Sequence, residues 1–124
     1  MKVNLEKLVA SAKALGVLGG DTTLDVKTKY SIARNIRVIE PELTLYDKQR
    51  IEIVKKYGVK IDGTENYQVL PENIGTFSAE IKDLLGVEVE IDIRKVAIDA
   101  FASASAHDMI ALDWMIDDDN IPEP

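Results

Sequence analysis

Residues 27–57 read KTKYSIARNIRVIEPELTLYDKQRIEIVKKY, and this stretch decides the fold. Within it Ile32, Ile36, Ile39, Leu43, Tyr46, Arg50, Ile53 and Tyr57 follow one another at alternating steps of four and three residues. That rhythm places them along one seam of a helix running from about Lys27 to Tyr57. Pro41 lies inside the run, where it removes a backbone donor and crowds the Arg37 carbonyl, so the helix either kinks there or splits in two. The seam is expected to be the main core, with Ile36, Ile39, Leu43 and Ile53 buried. Arg50 is its one charged member and needs either a carboxylate or a route to water. Asp47 on the same helix and Glu80 or Asp83 on a facing one are the candidates.

Working outward, Asn4 reads as the N-cap of a first helix to Leu15, with Leu5, Leu8, Val9, Ala12 and Leu15 as its stripe. Gly16 and Gly19-Gly20 are expected to end it, and Asp21–Val26 to form a loop or short extended piece. Gly58 stops the long helix. Val59–Ile61 and Tyr67–Val69 then flank Asp62-Gly63 as a small β-hairpin. Pro71 opens a helix carrying Ile74, Phe77, Ile81 and Leu84, closed by Gly86, which is expected to pack antiparallel to the long one. Val87, Val89, Ile91 and Ile93 alternate with Glu88, Glu90, Asp92 and Arg94, as in a strand with one buried face. Its expected partner is the 59–69 hairpin or the Thr22–Val26 segment. Lys95–Ala104 is ambiguous. Ser105 caps a last helix, expected through Ile116, with Met109, Leu112, Met115 and Ile116 on its apolar face. The fold class is therefore α+β: a helical hairpin with one long helix, a small antiparallel sheet and a C-terminal helix. Residues 1–116 form one domain, and 117–124 an acidic flexible tail.

The chain has 124 residues, enough for one core without staples. It has no cysteine, which excludes disulfides, thiolate metal sites and thiol catalysis. No apolar run reaches the length of a signal-peptide core or a membrane span, so a cytoplasmic protein without membrane contact is expected. The net charge of −7 repels nucleic acid unless basic residues concentrate in a patch, and here they are scattered among acids.

No constellation of side chains points to catalysis or metal binding. Glu88, Glu90 and Asp92 leave one strand face in parallel, whereas a hard cation wants converging oxygens. Asp117, Asp118 and Asp119 lack the alternation and glycine of a calcium loop. His107, the single histidine, lies too close in sequence to Ser103, Ser105 and Asp108 for a triad, and is read as a surface or capping residue. Gly16–Asp21 has neither the P-loop lysine nor dinucleotide spacing. Trp114, Tyr30, Tyr46, Tyr57 and Tyr67 are too sparse among the basic residues to make a stacking platform. No catalytic, cofactor-binding or metal-binding residue is therefore expected.

The segments Tyr30–Ile36, Tyr46–Arg50, Lys56–Gly58, Leu84–Ile93 and Asp108–Ile116 resemble a family of small proteins from phages and prophages of clostridia and related Firmicutes. That family is a domain of unknown function. The resemblance implies a virion or assembly component of the host cytoplasm or the virion, self-associating or docking on a protein through its helical hairpin. It also admits a different class, a small acidic inhibitor of a host factor such as a defence enzyme. Pro41 and the alanine- and serine-rich stretch 96–106 depart from the family pattern. A homo-oligomer is expected, because the long seam exceeds what a helix over 72–85 can cover.

Overall fold

The structure is a computed structural model and describes Met1–Asp117. The chain begins with β1 (Lys2–Asn4) and α1 (Leu5–Gly19), followed by the long α2 (Val26–Tyr57). The hairpin β2 (Gly58–Lys60) and β3 (Tyr67–Val69) leads through a 3-10 turn into α3 (Ile74–Leu85). Then come β4 (Glu88–Glu90), β5 (Val96–Ala97), a second 3-10 turn, α4 (Ala106–Ala111), a third, and β6 (Ile116–Asp117). The class is α+β. Of the expected acidic tail, Asp117 belongs to a strand and 118–124 lie outside the described residues.

Asn4 caps α1, its side chain accepting from the Lys7 backbone N–H at 2.9 Å. The helix does not stop at Gly16 but runs one turn further, because Leu15 and Leu18 both reach the core. Burying Leu18 outweighs the roughly 1 kcal/mol that a mid-helix glycine costs. Gly19 is where α1 meets α2 closely: a Cβ there would stand 2.9 Å from Ile36 Cδ1, and that side-chain end would have to shift to admit it.

α2 is a single 32-residue helix, capped by Asp25 through the Thr28 N–H at 2.7 Å. It continues across Pro41, so the split into two helices does not occur. Pro41 and Arg37 are both exposed, and water can reach the carbonyl that proline deprives of its donor.

The core lies elsewhere than the seam alone suggests. Ile32, Ile39 and Tyr46, one per heptad, are buried, but Ile36, Leu43 and Ile53 are only half-buried. The remaining core comes from α1 (Leu5, Leu8, Ala14, Leu15, Leu18) and from the C-terminal segment, including Val96, Phe101, Leu112 and Met115. Beyond Tyr46 no residue of α2 is buried, so the part of the helix that shares this core is the stretch from Val26 to Tyr46.

Among the described residues the strands form three two-stranded pairings, of which β1–β4 and β5–β6 join distant parts of the chain. β4 pairs antiparallel with β1, Val3 opposite Val89, and not with the hairpin or with 22–26. Hydrogen bonds from Leu5 N to the Val87 carbonyl and from Ile91 N to the Met1 carbonyl, both 2.9 Å, extend the pairing beyond the strand ends. Ile91 is buried while Glu88, Glu90 and Asp92 are exposed, so the alternation is as expected apart from Val87, which stays in solvent. β2 and β3 form the expected hairpin, and β5 pairs with β6 in parallel. The last helix is shorter than expected. α4 ends at Ala111, and Met115 and Ile116 reach the core from a 3-10 turn and a strand, because parallel pairing of Ile116 with Val96 needs extended backbone.

Two buried polar side chains knit these parts. The Ser11 hydroxyl sits 2.7 Å from the Lys7 carbonyl and 2.9 Å from the Ala111 carbonyl, and accepts from Trp114 Nε1 at 2.9 Å. Asn35 on α2 donates to the Arg94 carbonyl at 2.9 Å and accepts from the Arg94 N–H at 2.7 Å.

Because Ile39 is 1 % exposed, Ile39→Ala should cost about 2–5 kcal/mol. Ile53→Ala, at a half-buried position, should cost only about 1 kcal/mol. Denaturant unfolding of the two variants reads the difference, and equal losses would return the core to the seam.

Candidate functional site

Beyond Tyr46 the character of the chain changes. From Asp47 to Glu90 no residue is buried, although this stretch contains the end of α2, the β2–β3 hairpin and α3. These elements form an arm that is well ordered in its hydrogen bonding yet has no core of its own. α3 packs against α2 in the expected antiparallel hairpin, with the β-hairpin at the joining end.

Local chemistry explains how the arm holds its shape. Gly58 sits in extended backbone where α2 gives way to β2, and a side chain would not fit there, since a Cβ would lie 2.8 Å from both the Gln68 and the Val54 carbonyl oxygens. Gly63 takes φ +77° in the hairpin loop, a region that favours glycine. The Tyr57 carbonyl then accepts from Leu70 N and Asn73 Nδ2, each at 3.2 Å, tying the helix end to the start of the next one.

A polar clasp replaces the missing core. Glu80 of α3 accepts from the Tyr57 hydroxyl at 2.7 Å and from Lys56 Nζ at 3.0 Å. The Tyr57 hydrogen bond, with Lys56 beside it, holds the Glu80 carboxyl below its ordinary range, and Glu80 in turn raises Lys56. Lys55 and Lys56 lie over the Tyr67 and Tyr57 rings at 5.7 and 5.0 Å. Glu80 was one candidate partner for Arg50. Arg50 instead meets Asp47, one turn away on its own helix, at 3.4 Å, with both groups largely in water. Such a pair is weak, and it makes no demand for a second subunit.

What the clasp leaves outside is apolar. Ile74 is 52 % exposed and Val59 50 %, and Ile51 and Ile61 are exposed as well. Ile53, Val54, Phe77 and Ile81 are half-buried between the helices. An arm of this kind can contact another protein. It offers no catalytic group a dry, shaped environment.

The other residues singled out in the sequence are not brought together. Glu88, Glu90 and Asp92 are exposed, and the described residues contain no group of three potential metal ligands. Ser105 accepts from the Asp108 N–H at 3.1 Å as the cap of α4, and His107 is exposed, so no triad forms. A cavity of about 170 Å³ lies between α1 and residues 100–112, with Leu18, Phe101 and Leu112 in its wall and Asp21 and Asp108 among its polar groups. It is smaller than a usual small-molecule site, and the hydroxyl–carboxylate hydrogen bond in its wall, from Thr23 to Asp21, is exposed to solvent. No helix among the described residues is long and apolar enough to cross a membrane.

Sequence reading passed over two arrangements. The Tyr57–Glu80 clasp joins residues too far apart for any local pattern to pair them. Arg34 and Arg37 gather with Arg94 beside Tyr30, whose only sequence signal is the helical spacing of Tyr30, Arg34 and Arg37. Compared with known protein families, curated proteins and solved structures, the chain matches none.

The clasp has a pH signature. A depressed Glu80 adds stability above the ordinary carboxylate range and loses it as pH falls through the depressed value. A raised Lys56 adds stability below the ordinary lysine value and loses it as pH rises through the raised one. Carbon-detected NMR titration should find the Glu80 midpoint below that of an ordinary glutamate, and Tyr57→Phe should move it up. A Glu80 midpoint at the ordinary value in the native chain would show that the clasp is open in solution.

Proposed function

We propose that the protein is not an enzyme but acts by protein–protein contact, with the α2–α3 arm as the contact surface and a second copy of the chain as its first occupant. One observation carries this reading: no residue from Asp47 to Glu90 is buried, although the stretch is rich in isoleucine, valine and leucine. Small domains bury such side chains where they can, and here Ile51, Val59, Ile61 and Ile74 all stay exposed, as side chains of an interaction site do.

Charge favours a like partner. From Asp47 to Leu85, which spans the end of α2, the hairpin and α3, bases and acids nearly balance at six against seven, while the whole chain carries −7, so two arms approach each other with little repulsion. An antiparallel helix pair also meets its own copy readily, since two pairs about a twofold axis make a four-helix layer with a shared core. A standard interface takes about 800 Å² from each partner, roughly a tenth of the 8489 Å² that this chain exposes.

The biological setting in this proposal is a phage or prophage component, virion-associated or acting in assembly, and it rests on the sequence likeness alone. An inhibitor of a host factor would draw instead on the acidic strand face of Glu88, Glu90 and Asp92.

Light scattering across micromolar concentrations tests the contact. The chain should show a dimer mass or larger, and the exposed-site double variant Ile51→Glu/Ile74→Glu should shift it to the monomer without loss of α1 and α2 helicity. A monomer mass for the unaltered chain over the whole range would overturn the proposal.

A further inference from the structure

The first half of α2 carries a second surface, unlike the arm in chemistry. Tyr30, Arg34 and Arg37 share one face of the helix, and Arg94 reaches them from the segment after β4. The Arg94 guanidinium lies 5.2 Å from the centre of the Tyr30 ring. Tyr30 itself is 55 % exposed. The Arg34 guanidinium beside its hydroxyl holds the phenol below its usual value, with Arg94 and Arg37 adding to the effect. Tyr30, Arg34 and Arg37 border a groove of about 420 Å³ with Ala33 and Val38 as its apolar part.

Two features distinguish this cluster from a solvated helix face. None of Arg34, Arg37 and Arg94 has a carboxylate within ion-pair distance among the described residues, in a chain where acids outnumber bases 22 to 15. Three like charges held together without a counter-ion repel one another, and the fold accepts that repulsion. The second feature is how Arg94 is held. Asn35, fully buried, grips both the N–H and the carbonyl of Arg94, at 2.7 and 2.9 Å. Burying an amide is costly unless it is fully bonded, and here its bonds are spent on fixing the main chain of Arg94, whose guanidinium lies over the Tyr30 ring.

We propose that Arg34, Arg37, Arg94 and Tyr30 form a binding site for the phosphate group of a small phosphate monoester. Guanidinium forks match phosphate oxygens in pairs, and a dianion relieves the mutual repulsion of three arginines better than a single carboxylate does. The Tyr30 hydroxyl donates a further hydrogen bond. The groove is of small-molecule size, and Ala33 and Val38 give the organic part of the ester an apolar wall. A nucleic-acid strand is a poorer fit, since its neighbouring phosphates would meet the acidic remainder of the surface.

The test uses the full chain, with inorganic phosphate, phenyl phosphate and a phosphoserine peptide as probes. The Nε–Hε NMR signals of Arg34, Arg37 and Arg94 should shift saturably, and phenyl phosphate should bind more tightly than inorganic phosphate. The Tyr30 phenol should titrate at higher pH in the complex, because a bound dianion disfavours the phenolate. Arg34→Gln/Arg37→Gln replaces two exposed side chains and leaves the core alone, and should weaken phenyl phosphate by about tenfold or more. Absence of saturable shifts at ligand concentrations on the order of 10 mM, or affinity untouched by the double variant, would overturn the site. Equal affinity for inorganic and phenyl phosphate, or a peptide that binds more tightly than phenyl phosphate, would overturn the small-molecule reading.

Discussion

Everything in this structure depends on one mismatch of length. α2, at 32 residues, is about 48 Å long, whereas α1, at 15 residues, covers about 22 Å. A helix with an apolar seam must bury that seam against something. As far as Tyr46 α2 shares a core with α1 and the segment from Val96 to Ile116, and Ile32, Ile39 and Tyr46 disappear from solvent. Beyond Tyr46 it meets α3 and a hairpin of three-residue strands, and nothing is fully buried. Core and arm are thus two ends of one helix, set apart by how many layers each end meets.

The core end is closed by polar side chains as much as by apolar ones. Ser11 connects α1 to the Ala111 carbonyl and the Trp114 indole, and Asn35 connects α2 to the main chain at Arg94. No buried side-chain nitrogen or oxygen is left without a partner among the described residues. Complete pairing of this kind fixes register, because shifting α1 or α2 by a residue would strand the amide or hydroxyl in an apolar interior. The same bonds decide what the surface presents: by anchoring Arg94, Asn35 sets the cationic cluster at Tyr30 on the opposite end of α2 from the apolar arm.

Much of the element order was legible in the residues, because it follows local rules. Asn4 and Ser105 read as caps and are caps, the 59–69 hairpin and the helix after Pro71 form, and the long periodic run is a helix. The misreadings arose where tertiary contact overrules local signal. Gly16 looked like a stop, but Leu18 one turn on had a core to reach. The strand at 88–90 needed a partner, and the one it takes, Lys2–Asn4, is three residues long with Val3 its single β-former, too short for alternation to mark it. The seam was read as the core because periodicity says which face is apolar and not how much covers it. For the same reason the arginine cluster was invisible: Arg34 and Arg37 look like a solvated face until Arg94 arrives from a distant segment.

The proposed contact between two copies would give the arm the core that it lacks alone. Residue-resolved hydrogen exchange, run from dilute to concentrated protein, tests it most directly. Amides of α2 between Ile32 and Tyr46 should be the slowest at every concentration. Those from Ile53 to Tyr57 and along α3 should exchange faster in dilute solution and slow as concentration rises. Arm amides that exchange as slowly as Ile39 in the most dilute sample, with no dependence on concentration, would contradict it.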